Sequence, residues 1–92
     1  MTKQLQHAWI KVQAGGTYSI LTSDELVIFT AAGTANLPAA VASGHTLRIC
    51  NQSTESVTID ADGSETINGE LTQTLYPGEN VIITDYATGK WC

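Results

Sequence analysis

Ninety-two residues hold one domain at most, and a chain this short buries only about 60–65% of its unfolded surface, so burial against a partner adds materially to its stability. The net charge is −5, with four scattered basic residues, Lys3, Lys11, Arg48 and Lys90, which excludes a phosphate-neutralising nucleic-acid surface and attraction to anionic membranes. Hydrophobic residues make up 42% and charged ones only 14%, too few charges to solvate a lone small domain, which favours an oligomer.

The N-terminal stretch MTKQLQHAW lacks the continuous apolar run of a signal peptide, so export is not expected. No apolar run is long enough to span a bilayer. Short runs rich in Val, Ile, Thr and Tyr then predict strands at 6–13, 17–21, 25–30, 34–37, 45–51, 56–60, 65–67, 71–75, 80–86 and 90–92. In TLRIC, Leu47 and Ile49 take one face and Arg48 the other; in SVTID, Val57 and Ile59 point inward and Thr58 outward. The stretch LVIF at 26–29 is apolar on both faces and calls for a second sheet or a neighbouring subunit to cover it. PAAVASG at 38–44 is too short for a stable helix and reads as a loop or single turn. Pro77-Gly78 suits the centre of a type II turn. Many short, evenly spaced strands predict a sandwich, jelly roll or small barrel.

The acid-rich stretch DADGSETINGE at 60–70 invites a calcium reading, which its spacing rejects. Counted from Asp60, position 6 is Glu65 instead of glycine and position 12 is Leu71 instead of glutamate. A looser oxygen site from Asp60, Asp62 and Glu65 stays open beside the simpler account, in which Asp62-Gly63 and Asn68-Gly69 are two tight hairpin turns. The histidines, His7 and His45, are far apart in sequence, and no GxSxG elbow accompanies His45, so no catalytic residue is assigned. His7 lies beside Trp9 and reads as an interface residue, while His45 after Gly44 reads as a strand-entry residue. Cys50 and Cys92 belong to no Cys/His cluster and read as unpaired thiols, without zinc. Asn51-Gln52-Ser53 matches a glycosylation sequon but, without export, reads as a turn. No cofactor or metal is expected.

The order of the motifs carries more than any one of them. From Tyr18 the chain runs YSILTSDELVIF, TANLPAA, GHTLRICNQS, SVTIDADGSETING, LYPGENVIITD and GKW. This resembles a β-domain of tailed-bacteriophage tail fibres, head fibres and related virion appendages. That family's pattern has an aspartate-led hydrophobic strand, a TLP segment, a strand ending in Asn, a DGSETIxG hairpin, a PGE strand and a terminal Gly-x-Trp. The match covers residues 17–92; Asn36 departs from the usual threonine or valine before Leu37-Pro38, and the chain stops at Cys92 just after Trp91.

The resemblance implies an all-β, compact antiparallel β-sandwich or jelly-roll-like domain that assembles as a homotrimer on a virion. Residues 15–92 form that domain, and 1–14 an N-terminal anchoring segment or strand whose His7, Trp9, Ile10 and Val12 contact another virion protein or a neighbouring subunit by strand addition. The implied function is a non-enzymatic virion structural protein of capsid-decoration or head-fibre type, made in the host cytoplasm. Its implied partners are itself and other virion proteins of capsid or tail. The alternative is a tail-fibre module that recognises a host-surface glycan or protein receptor, with Asp60, Asp62, Glu65 and Tyr76 as candidate ligand-facing positions.

Overall fold

The computed structural model describes residues 10–92, and among them it contains strands and turns but no helix. The strands are β1 (Ile10–Gln13), β2 (Gly16–Ser19), β3 (Leu26–Phe29), β4 (Gly33–Asn36), β5 (Thr46–Asn51), β6 (Val57–Asp60), β7 (Thr66–Ile67), β8 (Thr72–Leu75), β9 (Asn80–Ala87) and β10 (Lys90–Trp91). Each overlaps a strand expected from the local pattern, usually trimmed by a residue at its ends. Of the first expected strand, residues 6–9 lie outside the described residues.

Two sheets form, one in the order β1-β3-β5-β9-β10-β7 and the other β2-β4-β6-β8. From β1 to β9 the odd strands belong to the first sheet and the even strands to the second. The chain therefore winds back and forth between layers, and β1, β3 and β5 stack in parallel, as do β2, β4 and β6. A parallel pair needs a crossover; here a strand of the opposite sheet supplies it.

This corrects the expectation of an antiparallel domain. Among the described residues five of the eight strand pairings are parallel, and β5-β9, β6-β8 and β9-β10 are antiparallel. Short links look like hairpins in sequence, but most of them change sheets. Only Ala14 and Gly15 separate β1 from β2, yet the two strands lie in different layers.

Both sheets contribute to one core. Val27, Phe29, Leu47, Ile49, Ile83 and Trp91 enter it from the six-stranded sheet, and Ala35, Val57, Ile59 and Leu75 from the four-stranded sheet. Burying each large apolar side chain stabilises the fold by roughly 1.5–3 kcal/mol. The alternation in β5 and β6 follows the pattern read from sequence: Leu47, Ile49, Val57 and Ile59 are buried, while Arg48 and Thr58 face outward.

Gly33 marks the closest approach between strands. A methyl group added there would overlap the Gly16 carbonyl oxygen and lie 2.8 Å from the Phe29 ring. Because the obstruction includes backbone, Gly33→Ala is expected to cost about 3 kcal/mol, at the upper end of the usual overpacking penalty. A urea-denaturation midpoint within error of wild type would show that β2 and β4 can separate freely.

Candidate functional site

The two outward sheet faces have opposite chemistry. On the six-stranded sheet, register aligns Ile10, Leu26, Arg48 and Ile82 in one row and Val12, Ile28, Cys50 and Asn80 in the next. Ile10, Val12 and Ile82 are 44, 57 and 52% exposed, and Leu26, Ile28 and Cys50 are half-buried. Parallel strands apolar on both faces normally lie covered on both sides. Here the inner side has the core and the outer side lies open among the described residues. On the four-stranded sheet the outward row is Thr17, Thr34, Thr58 and Thr74, followed by Ser19, Asn36, Asp60 and Thr72. Alternation places these polar residues outside and Tyr18, Ala35, Ile59 and Gln73 inside.

The expected interface residues Ile10 and Val12 thus sit on the open apolar face, while His7 and Trp9 lie outside the described residues. The acid-rich stretch resolves into two turns. Between Asp62 and Glu65 a turn closes by the Glu65 N–H donating to the Asp62 carbonyl at 2.9 Å. It links strands of different sheets, so it is no hairpin. Asn68 and Gly69, with φ of 52° and 85°, form a two-residue turn bracketed by mutual Ile67–Glu70 backbone bonds, as a type I′ turn requires. Gly78, at φ 81°, takes the left-handed position of the expected type II turn, closed by Glu79 N–H to the Tyr76 carbonyl at 3.0 Å.

Of the four candidate ligand-facing residues, Asp60 and Asp62 border one cleft of about 370 Å³ with Ser19 and Asn36. Glu65 and Tyr76 do not join them there. A Glu65 carboxylate oxygen instead accepts the Ala40 N–H at 2.9 Å, and Tyr76 stands exposed at the Pro77-Gly78 turn. No three His, Cys, Asp or Glu side chains among the described residues are arranged to hold a metal.

Interior polar residues do structural work that the sequence reading had not assigned. Asp85 is 2% exposed, and its carboxylate accepts the N–H groups of Val41, Ala42 and Ser43 at 2.7–3.2 Å and the Ser43 hydroxyl at 2.7 Å. This cradle holds Ala42 in a left-handed conformation, φ 60°, which explains why 38–44 is loop. Burial alone would raise the Asp85 pKa, but the Ser43 hydroxyl and the three backbone donors hold it below the ordinary carboxylate value. Strand alternation was the available signal, since Asp85 shares the inward face of β9 with Ile83.

Asn51, fully buried, donates to the carbonyls of Glu55 and Leu75 at 2.7 and 2.9 Å and accepts from the Ser53 N–H and hydroxyl at 2.9 and 2.6 Å. Its amide nitrogen is committed inside the fold, so the sequon is a structural turn. Tyr18 donates its hydroxyl to Asp24 at 2.6 Å, and the Leu21 N–H donates to the same carboxylate oxygen at 2.9 Å. Burial, then the hydrogen bond to Asp24 and its charge, push the Tyr18 pKa up to about 12. The Lys11 ammonium stands 5.2 Å from the Tyr18 ring centre, which couples β1 to β2.

A second cleft of about 370 Å³ is bordered by Ser43, His45, Asp85 and Trp91, the residue types of a hydrolase triad. Their bonds do not make one. Ser43 donates to Asp85, whereas His45 Nε2 donates to the Asp24 carbonyl at 2.9 Å, so the imidazole is engaged away from the hydroxyl. The Trp91 indole N–H is buried there without an acceptor among the described residues.

No protein-family model matches the chain, nor does any curated protein or solved structure.

Proposed function

We propose that the chain is a non-enzymatic structural subunit of a bacteriophage virion, of capsid-decoration or head-fibre type, whose two sheets pack as a sandwich and which attaches to the particle as a homotrimer. The observation that carries this reading is the open apolar face of the six-stranded sheet, with Ile10, Val12, Leu26, Ile28 and Ile82 presented together. Covering that face offsets the small core of a 92-residue chain. The Cα framework measures 39 × 31 × 18 Å, so a broad face can supply the roughly 800 Å² per partner of a standard interface. The motif order in residues 17–92 supports the virion assignment.

Light scattering at micromolar concentration is expected to give about three times the chain mass; a single-chain mass would overturn the homotrimer. In a virion density map the subunit is expected on capsid symmetry axes, and density confined to the tail tip would replace decoration with the receptor-binding alternative. One observation favours that alternative, the cleft shared by Asp60, Asp62, Ser19 and Asn36 beside a hydroxyl-rich sheet face.

A further inference from the structure

We infer that the contact between copies is heterologous: the outer face of the six-stranded sheet, centred on Arg48, docks against the β8 edge of the next copy, where Glu70 supplies the counter-charge. The inference rests on the homotrimer reading and adds which surfaces meet.

Arg48 is exposed and lies in register between Leu26 and Ile82, with no carboxylate opposite it on either neighbouring strand. If a partner covered this face with apolar groups alone, the guanidinium would be buried without a counter-charge, which is strongly unfavourable. The partner surface must therefore bring an acid into contact with Arg48. A twofold contact centred on the face would instead set Arg48 against Arg48 of the second copy. In a closed ring of three, every contact joins two different surfaces of the chain, which removes that clash.

The β8 edge has the complementary features. Among the described residues β8 ends its sheet, so one side of the strand is accessible to a second copy. Leu71 and Tyr76 flank it at 56 and 58% exposure, and Glu70, also exposed, directly precedes Leu71. Beside the strand opens a cleft of about 320 Å³ whose apolar lining includes Ile59, Leu75 and Val81.

The test is a charge swap read by light scattering at micromolar concentration. Arg48→Glu and Glu70→Arg are each expected to weaken assembly at least tenfold and bring the mass down towards one chain. The double variant, with both charges exchanged, is expected to recover the wild-type mass. Both positions are exposed, and an unchanged urea midpoint of the dissociated variants separates lost assembly from lost folding. A single variant that keeps the wild-type mass overturns the contact, and so does a double variant that stays dissociated. A wild-type chain that is itself monomeric removes the homotrimer reading and this contact with it, an outcome distinct from the other two.

Discussion

Asn51→Asp is expected to destabilise the fold by about 5 kcal/mol, a large share of the 5–15 kcal/mol typical of a domain. The amide of Asn51 donates to two backbone carbonyls, those of Glu55 and Leu75, in a site with no solvent exposure. A carboxylate there loses both donors and places a buried negative charge against two carbonyl oxygens. Asn51→Ala leaves the same carbonyls unpartnered but buries no charge, so about 3 kcal/mol is expected. The pH dependence separates the two causes. The aspartate variant's deficit shrinks as pH falls, because a protonated carboxyl again offers an O–H donor, whereas the alanine variant's deficit stays flat. Urea titrations of both variants between pH 4 and 7 provide the check. An aspartate variant within 1 kcal/mol of wild type at pH 7 would show that water reaches this side chain.

Asp85→Ala comes next, at about 3 kcal/mol. The three N–H groups and the hydroxyl that it satisfies lie in residues 41–43, which are exposed enough for water to replace some of the lost bonds. The wild-type carboxylate also sets an acid dependence. Its folded pKa is depressed below 3.8, so its contribution is full above that unfolded value and is lost as pH falls through the lower, folded value. Asp85→Asn keeps one acceptor oxygen and is expected to cost about 2 kcal/mol while abolishing that part of the acid loss. Denaturation midpoints from pH 2 to 7 read both effects. Parallel acid profiles for wild type and Asp85→Asn would mean that other carboxylates govern acid unfolding.

Much of the local architecture was legible. Period-two alternation located the strands and sorted Leu47, Ile49, Val57 and Ile59 from Arg48 and Thr58. Pro77-Gly78 and Asn68-Gly69 announced their turns because few dipeptides tolerate the left-handed φ values found there. The same alternation was available for Asn51 and Asp85, but it did not reveal that these polar residues are buried, because that depends on their partners. Those partners lie 2 to 44 positions away, and no local pattern encodes the distant ones, Leu75 and residues 41–43.

The candidate site divides in the same way. Glu65 seemed to belong with Asp60 and Asp62 because the three are close in sequence, but its carboxylate is tied to Ala40, 25 residues earlier. LVIF raised the question of what covers its second face; register then grouped Leu26 and Ile28 with Ile10, Val12 and Ile82 across four strands.

The amino-acid sequence alone determined that this protein is all-β, where its strands run and which side chains each strand turns to the same face. These follow from backbone stereochemistry and the burial of neighbouring side chains, which act over a few residues. Tertiary structure alone decided that links read as hairpins cross between layers, that most pairings are parallel, and that one outer face is apolar and the other hydroxylic. Strand pairing is a contest among distant segments of similar local propensity, settled only when the whole core closes.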